Sequence, residues 1–189
     1  RPIRPLFPKD FRNDVCVVAT VLSVEQDNSP EVCAMIGASA ALSISDIPFG
    51  GPTAAVSVGY VDGNIIINPT VAEREKSKLN LTVAGTLEKI TMIEAGADEI
   101  PNDIMLQAIK SGHSEIKKLC EFISKIKEEI GKPKFEYKSF ATDVEIYKEV
   151  EENFKERIYK DVQAQDKEVR DANIEKITED INNYFLEKY

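Results

Sequence analysis

The hydrophobic positions change their rhythm along the chain, and each change marks an element. After a Pro-punctuated start, residues 14–24 (DVCVVATVLSV) form an almost unbroken apolar, β-branched run, the pattern of a strand covered on both faces. EQDNSP then supplies turn chemistry and a helix start, with Asn28 or Ser29 as N-cap, Pro30 at the first helical position and Glu31 favourable to the helix dipole. Residues 32–44 have no polar face. Ala34, Gly37, Ala38, Ala40 and Ala41 let a sheet or another helix approach the backbone, which predicts an interior helix of a layered α/β structure. Gly37 costs about 1 kcal/mol of helix propensity against Ala, so close packing is the expected reason for it. DIPFGGP at 46–52 ends the helix and turns the chain.

The rhythm then becomes that of strands. TAAVSVGYV and NIIINPT are separated by Asp62-Gly63, a strong short-range hairpin signal. Residues 78–86 and 89–96 predict two more strands with Leu87-Glu88 in the turn, and the four are expected to be antiparallel. A long helix follows from around residues 100–101, carrying Ile104, Ala108, Ile116, Leu119, Cys120, Ile123 and Ile130 at helical spacing, with Gly131 and Pro133 to close it. Residues 141–189 contain no Gly and no Pro. Val144, Tyr147, Val150, Phe154 and Ile158 form one apolar stripe and Val169, Ile174, Ile177, Ile181, Tyr184 and Phe185 another, predicting a pair of helices that seldom enclose a core alone.

Composition refines this picture. The 189 residues are 42% hydrophobic and 30% charged, which places the chain among globular proteins with room for one ordinary domain plus an appendage. The formal charge of −9 belongs mainly to the tail, where residues 141–189 hold fourteen acids against eight bases, with nineteen against sixteen before them. Such acidity argues against a surface that binds nucleic acid everywhere, yet leaves room for a local basic site. Cys16, Cys33 and Cys120 are odd in number and set in apolar runs, so they are expected to be small buried hydrophobes in a reducing compartment. No apolar run reaches the ~18 residues of a membrane span, and the expected setting is cytoplasmic, with no membrane partner. The start RPIRPLFP, with no initiator Met, suggests a fragment.

Candidate chemistry is sparse. His113 lies in SGHSE without a metal-ligand or triad pattern and is expected to be structural or at the surface. FGG at 49–51 reads as a turn, and Ser39, Ser43 and Ser45 have no histidine to activate them. No catalytic and no metal-ligating residue is therefore assigned. The tail carboxylates read as a solvated face with partners such as Glu151 with Lys155 and Glu156 with Lys160. The start of the chain differs: Arg1, Arg4, Lys9 and Arg12 stand against one acid, Asp10. Guanidinium groups suit phosphate because their fork donates two parallel hydrogen bonds, although such bases also lie along surfaces or pair with acids.

RPIRPLFP, NSPEVCAMIGASAALSISDIPFGGP, VGYVDGNIIINPT, LNLTVAGT and MIEAGADEIP, in that order, resemble the latter part of the first RNase PH-like core of the bacterial polynucleotide phosphorylase family. The resemblance covers residues 1–138, and residues 139–189 resemble the start of the family's all-helical linker. It implies an α+β, RNase PH-like layered core, partial here, followed by an all-α segment. It also implies a parent enzyme that degrades single-stranded RNA from 3′ to 5′ by phosphorolysis, working as a homotrimer with Mg2+ and inorganic phosphate, with RNA-degradation complexes as partners. The family's catalytic core carries a serine-rich phosphate turn, a carboxylate pair and a lysine. This chain has Ser29-Pro30-Glu31-Val32 at the turn and Arg74, Asn80 and Thr82 as nearest counterparts of the rest, so the segment is expected to be non-catalytic and to bind no cofactor itself. Arg1 and Arg4 match the family's RPIRPLF segment and are the expected RNA-binding residues. The alternative is a non-catalytic RNase PH-like RNA-binding or assembly module.

Overall fold

The computed structural model describes residues 1–188, Tyr189 lying outside them. The chain forms two compact units, Arg1–Ser139 and a second that starts at Phe140. In the first, a 3-10 turn at Arg4–Leu6 precedes α1 (Pro30–Ile44), β1 (Ala54–Val61), β2 (Asn64–Ile67), α2 (Val71–Lys76), β3 (Leu79–Gly85), β4 (Ile90–Ala97) and α3 (Asn102–Ile130). The four strands make one antiparallel sheet in the order β2-β1-β3-β4. Asp62 and Gly63 close the β1–β2 hairpin with φ of 49° and 83°, the backbone that this dipeptide favours.

Register decides what each face of the sheet becomes. Val56 pairs with Val83 and Val58 with Leu81, so their side chains share one face, and α3 packs onto it through Ala108, Ile116 and Cys120. Gly112 lets the helix come close: a Cβ there would stand 3.2 to 3.4 Å from methyl groups of Val58, Val83 and Val56. Burial pushes the Cys120 thiol up to about 11, as expected of an inert core cysteine. His113 sits beside the same contact, its Nε2 3.0 Å from the carbonyl of Thr86.

α1 packs on α3 and β1 through Ser39, Leu42 and Ser43, and the Ser39 hydroxyl accepts from the Thr53 N–H at 2.9 Å. Three expectations fail around it. Residues 14–24 form no strand, and Val18 and Leu22 are 79% and 92% exposed. Their composition encodes strand propensity, but a strand also needs a neighbour to pair its N–H and C=O groups, and none of β1–β4 provides one. Gly37 is not a close-packing residue, since a Cβ there would meet nothing within 4 Å. With Cys33, Ala34, Ala38 and Ala41 it lines an open cleft of about 730 Å³ beside residues 17–25. Cys16 and Cys33 are accordingly exposed, and only Cys120 behaves as the composition suggests.

The second unit pairs α4 (Val144–Asp161) with α5 (Lys167–Lys188). Phe154 meets Tyr184 edge-on at 5.5 Å, Arg157 bridges to Asp180 at 2.5 Å, and Glu149 accepts from Tyr184 Oη and Lys188 Nζ. The Glu151–Lys155 pair forms at 2.5 Å. Ile177 is buried, whereas Val144 and Tyr147, at the start of the predicted stripe, are exposed.

Candidate functional site

The sheet face turned away from α3 opens into a cleft of about 530 Å³. Because strand residues alternate, Ala55 and Ser57 of β1 and Asn80 and Thr82 of β3 point into it, with Ser57 paired to Thr82 and Met92 of β4 alongside. The start of α1 adds Ser29, Glu31 and Met35, and α2 adds Arg74. Five residues distant in sequence, namely Ser29, Glu31, Arg74, Asn80 and Thr82, thus line one cavity.

Local structure fixes the charged pair. The Glu73 carboxylate accepts from the Thr70 N–H and hydroxyl, both at 2.8 Å, a capping box that starts α2 and sets the position of Arg74. Arg74 donates from Nη1 to the Pro69 carbonyl and from Nη2 to the Gln26 carbonyl, each at 2.9 Å, and Asp27 accepts from the Val71 N–H at 2.9 Å. Glu31 accepts from the Ser29 hydroxyl at 2.6 Å. That bond, its own backbone N–H and the charge of Arg74 hold its carboxyl below the usual range.

This donor set suits neither a phosphate nor a magnesium ion. Two of the five guanidinium N–H groups are given to carbonyls, and the ionised Glu31 repels an anion at the helix start. A divalent cation needs several oxygen ligands of net negative charge, while the cleft offers one carboxylate beside a guanidinium, and no cluster of three His, Cys, Asp or Glu suited to a metal exists among the described residues. The cleft thus brings one guanidinium, one carboxylate and the neutral polar groups of Asn80 and Thr82 together.

The N-terminal segment borders it. Pro2 lines the cleft, and Arg1 and Arg4 line an adjoining open groove of about 850 Å³ with Lys9 and Arg12. Arg12 is bound locally, donating to the Lys9 carbonyl at 2.6 Å. Among the described residues the exposed side chains of Arg1 and Arg4 have no hydrogen-bond or ion-pair partner. Sequence reasoning missed α2 and the ties at Gln26 and Asp27. The Thr70-x-x-Glu73 box behind Pro69 was the available signal for α2, whereas a backbone carbonyl that holds a distant guanidinium leaves none.

Comparison with known proteins defines the class. Residues 1–48 match the 3′ exoribonuclease family, domain 1, and residues 51–115 match domain 2 of the same family. Together these matches take in more than half of the chain, which belongs to the 3′ exoribonuclease family and has its RNase PH-like α+β fold. Two proteins named polyribonucleotide nucleotidyltransferase are among its relatives. The one from Ruminiclostridium cellulolyticum is 56% identical over 189 residues, 100% of this chain and 27% of the relative. The one from Caldicellulosiruptor saccharolyticus is 57% identical over 185 residues, 98% of this chain and 26% of the relative. The chain spans about a quarter of the length of these relatives. A crystal structure of rice (Oryza sativa) Rrp46 superposes with a TM-score of 0.49 at 18% identity, over 55% of this chain and 51% of that one.

Proposed function

We propose that this chain serves, within a full-length protein of its relatives' kind, as the non-catalytic first core of a polyribonucleotide nucleotidyltransferase. In that reaction inorganic phosphate attacks the terminal phosphodiester of a single-stranded RNA, the bond to the penultimate nucleotide breaks, and a nucleoside diphosphate leaves. The observation that supports the reading is the cleft at the open face of the sheet, where the Glu31 carboxylate stands at the helix start and Arg74, Asn80 and Thr82 stand in place of a carboxylate pair and a lysine. Mg2+ then serves the full-length protein at other residues, and no step passes through this cleft.

Residues 1–138 would contribute to a homotrimer and its RNA path, with Arg1 and Arg4 as phosphate contacts, and residues 139–189 would form the start of a helical linker. A cytoplasmic setting and membership of RNA-degradation complexes belong to the same reading. No helix among the described residues is long and apolar enough to cross a membrane. The test is phosphate-dependent release of nucleoside diphosphate from a single-stranded RNA by this chain and by the full-length protein. Release by the full-length protein alone is expected, and turnover by the 189-residue chain would overturn the assignment.

A further inference from the structure

Arg1 and Arg4 sit on a short segment whose single 3-10 turn has almost no stability of its own. The Gly50 N–H holds it directly by donating to the Leu6 carbonyl at 2.7 Å, Phe7 packs against Phe49, and further support comes from the far end of the unit. After α3 the chain runs back along the end of α1, where the Lys132 N–H donates to the Ile44 carbonyl at 2.9 Å and the Phe135 N–H to that of Asp46 at 2.8 Å. Lys134 Nζ donates to the carbonyls of Leu42, Ser43 and Ser45 at 3.1, 3.0 and 2.6 Å, satisfying acceptors that the helix end leaves open.

This strap presents Phe135 and Tyr137. Phe11 packs on both, edge-on to Tyr137 at 5.0 Å, and also stacks with Phe7. Asp10 completes the arrangement by accepting from the Tyr137 hydroxyl at 3.0 Å and the Ser139 hydroxyl at 2.5 Å. These two bonds are also what chiefly hold the Asp10 carboxyl below its usual range.

We propose that Asp10 and Tyr137 form a clasp that helps to position the N-terminal segment bearing Arg1 and Arg4 for contact with RNA phosphates. The inference rests on the reading that those arginines meet RNA. A guanidinium on an unordered segment must be ordered at the moment of binding, and that ordering subtracts from affinity; a segment already fastened avoids the loss. Asp10 and Tyr137 are positioning residues, because the contact itself belongs to the arginines.

The experiment measures the affinity of the full-length protein for a single-stranded oligoadenylate across a range of salt concentrations. The variants are Tyr137→Phe, Asp10→Asn, the pair Arg1→Ala with Arg4→Ala, and that pair combined with Tyr137→Phe. Tyr137→Phe keeps the ring in its aromatic cluster and removes one of the two bonds to Asp10, and Asp10→Asn keeps the shape but exchanges the charged acceptor for a neutral amide, so each weakens the tie while preserving the packing. Each is expected to weaken binding about fivefold, the factor carried by an ordinary hydrogen bond, and to flatten the salt dependence toward that of the arginine pair. Adding Tyr137→Phe to the arginine pair is expected to change nothing further, since a positioning role has no target once the arginines are gone. If the arginine pair flattens the salt dependence while Tyr137→Phe and Asp10→Asn leave it alone, or if the effects multiply in the combined variant, the clasp is overturned and the arginine reading stands. An unchanged salt dependence in the arginine pair overturns both.

Discussion

The two faces of the β1–β3–β4 sheet are built from alternate residues of the same strands, yet they do opposite things. On one, Val56, Val58, Leu81 and Val83 are sealed under α3. On the other, Ser57, Asn80 and Thr82 line an open cleft with Arg74 and Glu31. The difference between stability and site is thus a matter of one residue's step along a strand, because a pleated chain turns successive side chains to opposite sides.

The comparison breaks most visibly at adjacent positions of β3. Leu81→Ala is expected to cost about 2–5 kcal/mol, the loss of a fully buried aliphatic side chain plus the cavity it leaves. Thr82→Ala, one residue on, is expected to stay within about 0.5 kcal/mol. Urea or thermal unfolding of the two variants measures the contrast directly, and comparable losses at both positions would mean that the open face is packed.

Two glycines sharpen the point with smaller effects of opposite sign. Gly112→Ala gains helix propensity of about 1 kcal/mol but presses a methyl to 3.2–3.4 Å from Val58, Val83 and Val56, an overpacking cost of about 1–3 kcal/mol that is expected to leave a net loss of up to about 2 kcal/mol. Gly37→Ala meets open space on α1 and is expected to stabilise by up to about 1 kcal/mol from helix propensity. Melting temperatures that move the same way in both variants would contradict the packing described here.

The smallest effect is electrostatic and confined to the open face. The Ser29 hydroxyl first, then the Glu31 backbone N–H and the charge of Arg74, lower the carboxyl of Glu31 in the folded state. Its contribution is present above the unfolded-state value and disappears as pH falls through the lowered one, so Glu31→Gln is expected to flatten the acid limb of the stability curve slightly. Leu81→Ala shifts that curve without changing its shape. A Glu31→Gln curve that parallels the unmodified one would remove the Glu31 contribution.

Much of the fold was legible because its signals are local. Asp62-Gly63 specified a hairpin backbone, the small residues after Pro30 marked a helix, and the spacing from Ala108 to Ile123 specified the buried face of α3. Residues 14–24 misled because composition reports what a segment would do beside a partner, and pairing is not written in the segment itself. Gly37 misled for a related reason: a small residue permits close approach but does not compel it. The site was half legible. Ser29, Glu31, Arg74, Asn80 and Thr82 were singled out by family resemblance, and the fold brings them to one cleft. The carbonyls that hold Arg74, and the bonds from Tyr137 and Ser139 to Asp10, join positions far apart in sequence and could be found only in three dimensions.

The most direct test of the account is the turnover number for phosphate-dependent RNA degradation by the full-length protein carrying Arg74→Ala, Asn80→Ala and Thr82→Ala together. The proposed non-catalytic role of this cleft predicts a turnover number within about twofold of the unmodified protein. A fall of about a hundredfold or more, the scale on which loss of a transition-state contact registers, would show that the cleft is catalytic and contradict the account.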